Sequence, residues 1–347
     1  MTKGRTTSRR PAWRRFGDER LLRVRVCDLG VRIPGSRLER RVHAVEHELD
    51  AAGVDYHPPC YLADEWECPD GIPAVGIPFY LAHPRLVRLE RAMMVEAEGD
   101  GAPQFARLLR HELGHAINYA FRLFRRKRWR ELFGPFNAVY RDTYRVAPHS
   151  RKFVRHLSRY YAQKHPDEDF AETFAVWLDP ASDWRKKYAG WDAAVKLEYV
   201  DGLMRDAVAG REPKVVARKS QYYWRADRMR CSLATYYKRR KAAYAWARSH
   251  FFDEDLKKLF PVTPQTNGAT AAAFLRRKRA ELASGVRAWS GEPPAHVRTI
   301  LNELVERCEQ LDLRMGIPEE EAAVNVTAYV TALAVNYRRG GRPEGGR

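Results

Sequence analysis

The chain has 347 residues, 45% of them hydrophobic, which is enough for one or two folded domains and excludes wholesale disorder. Lys and Arg outnumber Asp and Glu by 62 to 44, a formal net charge of +18 that favours acidic partners such as nucleic acid, an anionic membrane surface or an acidic protein. The five cysteines are odd in number and form no Cys-x-x-Cys pair, which argues against a disulfide framework or a cysteine zinc knuckle and suits reduced thiols in the cytoplasm.

Residues 1–17 read as a disordered basic arm with no apolar run behind it, so no secretory signal is expected. The longest apolar stretch, around 74–82, is far short of the ~20 residues needed to span a bilayer. Leu22, Val24 and Val26 alternate with Arg23 and Arg25, the pattern of a half-buried strand. Ser36 and Glu39 form a capping box, Leu38, Val42, Val45 and Leu49 follow at helical spacing, and Gly53 closes that helix. Residues 56–66 and 72–81 read as two extended runs with Asp70-Gly71 as the turn between them. Pro73 and Pro78 cannot donate to a ladder, which puts the second run at a sheet edge. A long apolar helix is expected over 103–128, then a basic, loop-like region over 133–161. Pro166 suits the first turn of a helix running to Leu178, with Asp167, Glu168 and Asp169 at its positive end. Another helix is expected over 193–209. A composition shift at 210–213 separates this part from helices expected over 216–260, 270–289, 294–314 and 318–338, and a Gly/Arg tail reads as disordered.

The chemistry sits at His111-Glu112-Leu113-Gly114-His115. Residues i and i+4 of a helix share a face, so the two imidazoles can grip one metal ion while Glu112 reaches water beside it. Zinc suits neutral imidazole and is a Lewis acid without redox chemistry. Inside an apolar helix, two histidines without a metal would need other partners. A catalytic zinc of this class takes a third protein ligand and keeps one open position. A metzincin would carry Gly at 118 and His at 121, whereas this chain has Asn118 and Phe121. The remaining donor is a carboxylate on a later helix. Glu168 and Glu172 are spaced i, i+4, so one can bind zinc while the other orients a ligand histidine.

The pentad paired with the downstream Glu168-Asp169-Phe170-Ala171-Glu172 resembles the gluzincin metallopeptidases of the anthrax lethal factor type. More closely, residues 28–204 resemble a bacterial family of uncharacterised zinc-binding metallopeptidases, through 61–84, 111–115 and 165–178. The resemblance implies one zinc per chain, held by His111, His115 and Glu168, with Glu172 supporting a ligand ring. It implies Glu112 as the general base on a zinc-activated water. Tyr161, seven residues before Glu168, is implied as the oxyanion donor, with its neighbour Tyr160 as competitor. The run Ile77, Pro78, Phe79 and Tyr80 is expected to accept substrate backbone as an added strand, or else to be a core strand.

Residues 119–160 hold twelve Lys/Arg against Glu131 and Asp142, and residues 211–250 hold twelve against Glu212 and Asp227, interleaved with aromatics. A solvated helix face over an aromatic stripe is the favoured reading, and nucleic-acid binding the less favoured one. The expected architecture is α+β. A zincin-like catalytic domain over 18–210, with a small edge-exposed sheet and an active-site helix, precedes a basic helical domain over 211–338 and the tail 339–347. The expected function is zinc-dependent hydrolysis of peptide bonds in a peptide or protein substrate, an acidic one where the surplus positive charge steers it to the cleft. The alternative is a polyanion-binding protein whose zinc is structural or vestigial.

Overall fold

The structure is a computed structural model that describes residues 11–94, 97–140, 144, 147, 150–251, 253–263, 268–290 and 294–340. Residues 1–10 of the expected basic arm and the tail from 341 onward lie outside the described residues, while residues 11–17 are folded rather than disordered: Ala12–Arg15 form a 3-10 turn and the buried Trp13 donates its indole N–H to the Leu29 carbonyl. The fold is mostly helical. In chain order it runs α1 (Asp18–Leu22), α2 (Arg37–Ala51), β1 (Cys60–Ala63), β2 (Val75–Pro78), α3 (Pro84–Met94), α4 (Ala102–Phe121), α5 (Lys127–Phe133), α6 (Pro166–Leu178), α7 (Trp184–Lys187), α8 (Asp192–Ala207), α9 (Leu233–Phe251), α10 (Asp253–Leu259), α11 (Ala271–Ser290), α12 (Pro294–Gln310) and α13 (Glu319–Gly340). No helix among the described residues is long and apolar enough to cross a membrane.

The chain divides into two compact units, residues 1–239 and 240–347. The expected boundary at 210/211 therefore falls inside the first unit. Residues 211–232 hold two single-turn 3-10 helices, Lys219–Gln221 and Ala226–Arg228, but no α-helix, and the amides of Lys214 and Val215 donate to the carbonyl of Ala120 at the end of α4. Leu233, Tyr236 and Tyr237 then enter the first unit's core. Of the other aromatics in this stretch, Tyr222 stacks on Tyr61, whereas Tyr223 and Trp224 are exposed.

In the first unit α2 forms with its apolar face, Leu38, Val42, Val45 and Leu49, buried as expected. The expected capping box does not close: the Ser36 hydroxyl accepts from the Leu38 amide, and Glu39 accepts from the Gly35 amide instead of that of Ser36. The expected strand over 22–26 does not form. Its residues are divided between α1, an isolated bridge from Arg25 to Ser232 and a 3-10 turn over Val26–Leu29, and Leu21 and Val26 still reach the core.

The sheet has two short parallel strands, β1 and β2. The Asp70-Gly71 turn does fold the chain back, but it pairs only Glu67 with Gly76, antiparallel. Gly76 donates to the Glu67 carbonyl at 2.7 Å on the side away from β1, so β2 is covered at both edges rather than free at one. Every residue of β2 is buried, and Phe79–Ala82 turn into a buried 3-10 helix instead of extending the strand. The expected substrate edge is thus a core element. Phe79 packs on Tyr236, and the Tyr80 hydroxyl donates to the Glu98 carbonyl.

The expected helix over 103–128 is broken in two. Arg122 adopts a left-handed conformation at φ 52°, where its amide closes onto Asn118 and Tyr119 carbonyls, and α5 starts five residues later. The helix expected from Pro166 to Leu178 is α6, stopped at Asp179 before Pro180. The second unit packs α10 to α13 around Phe260, Phe274, Leu275, Leu301, Leu304 and Val326. In the basic run of α11 three side chains pair with acids of this unit, Arg276 with Glu309, Arg277 with Glu319 and Lys278 with Glu281, while Arg279 donates to the Asn302 side chain.

Candidate metal centre

The site is made by α4 lying against α6. Gly114 is what lets them close: a Cβ there would come within 2.8 Å of the Ala171 Cα. This contact lies between His111 and His115 on one helix and between Glu168 and Glu172 on the other, so the two pairs face each other. α6 starts on a defined cap, because the His165 ring nitrogen Nδ1 accepts from the Asp167 amide.

Three atoms converge. His111 Nε2 and His115 Nε2 are 3.2 Å apart, and Glu168 Oε2 is 3.2 Å from the first and 3.1 Å from the second. All three side chains are buried. The far nitrogen of each ring is held by a carboxylate: His111 Nδ1 donates to Glu172 Oε1 at 3.0 Å, and His115 Nδ1 donates to Asp167 Oδ2 at 2.8 Å. Those carboxylates are themselves fixed. Glu172 Oε2 accepts from the Leu157 amide at 2.8 Å. Asp167 accepts from Asn118 Nδ2 at 2.7 Å and from the Tyr119 hydroxyl at 2.6 Å.

With each Nδ1–H committed to a carboxylate, two imidazole lone pairs and a carboxylate oxygen face one another. Three electron-rich atoms at this distance need a cation or protons between them. In the metal-free chain protons take that role. Burial alone would lower His111, but its hydrogen bonds to Glu168 and Glu172 outweigh burial and raise it to about 10. His115 is likewise raised against burial by Asp167 and Glu168, while Glu168, against burial, is held well below the usual carboxylate range by the two rings. A metal fits the same triangle. A tetrahedral ion with bonds of ~2.0–2.1 Å sets its ligands about 3.3 Å apart, and two imidazoles with one carboxylate are a donor set that zinc accepts. Among the described residues the cluster has these three members and no fourth.

Glu112 is buried next to the first ligand. The Tyr161 hydroxyl is raised by burial first, then by Glu168 and Tyr140, and also by the charge of Glu112, which places Tyr161 and Glu112 in one electrostatic neighbourhood. The Tyr161 ring lies 5.7 Å from the His111 ring, whereas the ring of Tyr160, which has φ 58°, faces the Arg155 guanidinium. Ile77, Pro78, Phe79 and Tyr80 are core residues, as described above.

Two site residues escape the sequence. Asp167 reads there as an acid placed for the helix dipole, and its hydrogen bond to His115 is visible only once α4 and α6 are packed. Tyr140, in the loop after α5, donates to Glu168 Oε1 at 2.5 Å and meets the Tyr161 hydroxyl at 3.2 Å. No spacing in the sequence connects it to either partner.

A protein-family model described as "Putative zinc-binding metallo-peptidase" matches residues 106–205. That stretch runs from α4 into α8 and contains every residue of the centre. No curated protein and no solved structure matches the chain.

Proposed function

We propose that the chain is a zinc-dependent metallopeptidase of the gluzincin type, which hydrolyses peptide bonds in a peptide or protein substrate. The observation that carries this reading is the convergence of His111 Nε2, His115 Nε2 and Glu168 Oε2, each ring backed by its own carboxylate. The match to the zinc-binding family over the same residues supports it. A structural zinc would be closed by a fourth side chain, and three donors leave a corner for water and substrate.

In this reading His111, His115 and Glu168 hold the ion, and Glu172 and Asp167 fix the rings in the tautomer that presents Nε2. Zinc in such a set supplies Lewis acidity, polarising a carbonyl and lowering the pKa of water toward ~7. Glu112 takes a proton from the attacking water and returns it to the leaving amine. The Tyr161 hydroxyl turns from Tyr140 to donate to the carbonyl oxygen as charge develops there, an effect of about 3–4 kcal/mol for a well-placed donor. Glu168 as ligand and Glu172 as the support of the His111 ring follow the lethal factor-type pattern.

The test is metal content together with cleavage of an unfolded protein substrate. Purified protein is expected to carry one zinc per chain, and His111→Ala or His115→Ala to remove it. Glu112→Gln keeps the metal and loses hydrolysis. Hydrolysis that survives Glu112→Gln, or a wild-type chain that takes up no zinc, overturns the reading.

A further inference from the structure

The two oxygens of Glu168 have different partners. Oε2 faces both ring nitrogens, while Oε1 accepts from the Tyr140 hydroxyl at 2.5 Å. A carboxylate can bind a cation through one oxygen or through both. Tyr140 has a single hydroxyl proton, and Glu168 takes it. The 3.2 Å contact between the two phenols therefore has Tyr161 as donor and Tyr140 as acceptor. The result is a directed chain from Tyr161 through Tyr140 to Glu168.

Tyr140 is not there by accident of an open loop. His165 Nε2 donates to the Ala138 carbonyl at 3.0 Å, two residues away. The Tyr140 ring lies 5.2 Å from the His165 ring and takes the Lys164 ammonium over its face at 4.4 Å. Further along, the Gln163 side chain exchanges two hydrogen bonds with the backbone of Ala147. The loop is thus tied to the segment leading into α6 on both sides of Tyr140, although Tyr140 itself is 44% exposed.

We infer that Tyr140 is a positioning residue whose hydroxyl holds Oε1 of Glu168, so that Glu168 offers the metal one oxygen and the remaining corner stays open. This rests on the metal reading above. Without that hydroxyl Oε1 is free to turn inward, bind as the second oxygen and occupy the corner that water and substrate use.

Cobalt(II) in place of zinc tests it, because its d–d absorption weakens as the coordination number rises. Wild type, Tyr140→Phe and Tyr161→Phe are each loaded with cobalt, and zinc affinity is measured by competition with a chelator. Tyr140→Phe is expected to show a weaker, shifted d–d band and to change zinc affinity about tenfold to a hundredfold, the usual range for a partner of a ligand. Tyr161→Phe is expected to keep the wild-type band, since Tyr140 still donates to Glu168. A wild-type spectrum from Tyr140→Phe overturns the inference. So does the same spectral change in both variants, which would make the phenol pair a loop latch without a specific hold on Glu168. A wild-type chain that takes up neither metal removes the metal reading itself and this inference with it.

Discussion

At the level of single residues, the centre is a contest between protons and metal for the same nitrogen atoms. His111 is raised to about 10 from an ordinary 6.5, because two carboxylates outweigh the burial that would lower it. Two consequences follow for the metal-free chain. Stability contributed by the protonated ring is fully present below pH 6.5 and is lost as the pH rises towards about 10, so thermal unfolding of metal-free protein should move to lower temperature across that window. Zinc-loaded protein, whose rings carry no proton on Nε2, should lack this decline. Zinc uptake at pH 7 must also expel protons, and apparent affinity should rise about tenfold per pH unit for each proton released. Calorimetry in buffers of different ionisation enthalpy counts those protons. Uptake that releases none between pH 6 and 8 would show that the rings are already neutral, and the electrostatic account of the site would be wrong.

The elements explain why part of the site can be read from the sequence and part cannot. His111 with His115, and Glu168 with Glu172, are legible because helical spacing alone fixes which side chains share a face. That the two faces meet depends on Gly114, whose missing side chain admits the Ala171 backbone. Gly114→Ala measures this contact. Alanine is worth up to about 1 kcal/mol in helix propensity, but a Cβ placed 2.8 Å from Ala171 Cα must push α6 away. Overpacking of this kind costs about 1–3 kcal/mol. The variant should be no more stable than wild type and should bind zinc more weakly, because Glu168 moves away from both rings. Wild-type affinity in Gly114→Ala would mean that α6 can shift without disturbing its ligand. Other features leave no such trace. The end of α4 depends on Arg122 entering a left-handed conformation, which its residue type does not announce. Tyr140 reaches Glu168 from a loop with no periodicity. The alternation of Leu22, Val24 and Val26 suggested a strand, yet without a continuous partner strand these residues were taken up by short turns that bury Leu21 and Val26.

For the whole molecule, the division at 239/240 separates the candidate chemistry from the last hundred residues. Residues 1–239 hold 45 Lys and Arg against 31 Asp and Glu, so 14 of the 18 surplus positive charges belong to the unit that contains the metal centre. Every donor and every residue that orients a donor lies in that unit, as does the family match. Each unit buries its own apolar cluster, around Phe105, Phe170 and Phe174 in the first and around Phe274 and Leu301 in the second. Independent cores predict independent folding. A chain ending at Arg239 keeps Leu233, Tyr236 and Tyr237, the α9 residues that pack into the first core. It should therefore fold, bind zinc with the stoichiometry of the full chain and retain hydrolysis of small peptides, while residues 240–347 alone should be helical and free of zinc. Zinc content and circular dichroism of the two fragments decide the matter. Loss of zinc from the first fragment, with its helical signal intact, would show that the second unit helps to build the centre and would overturn the division of labour argued from the two cores.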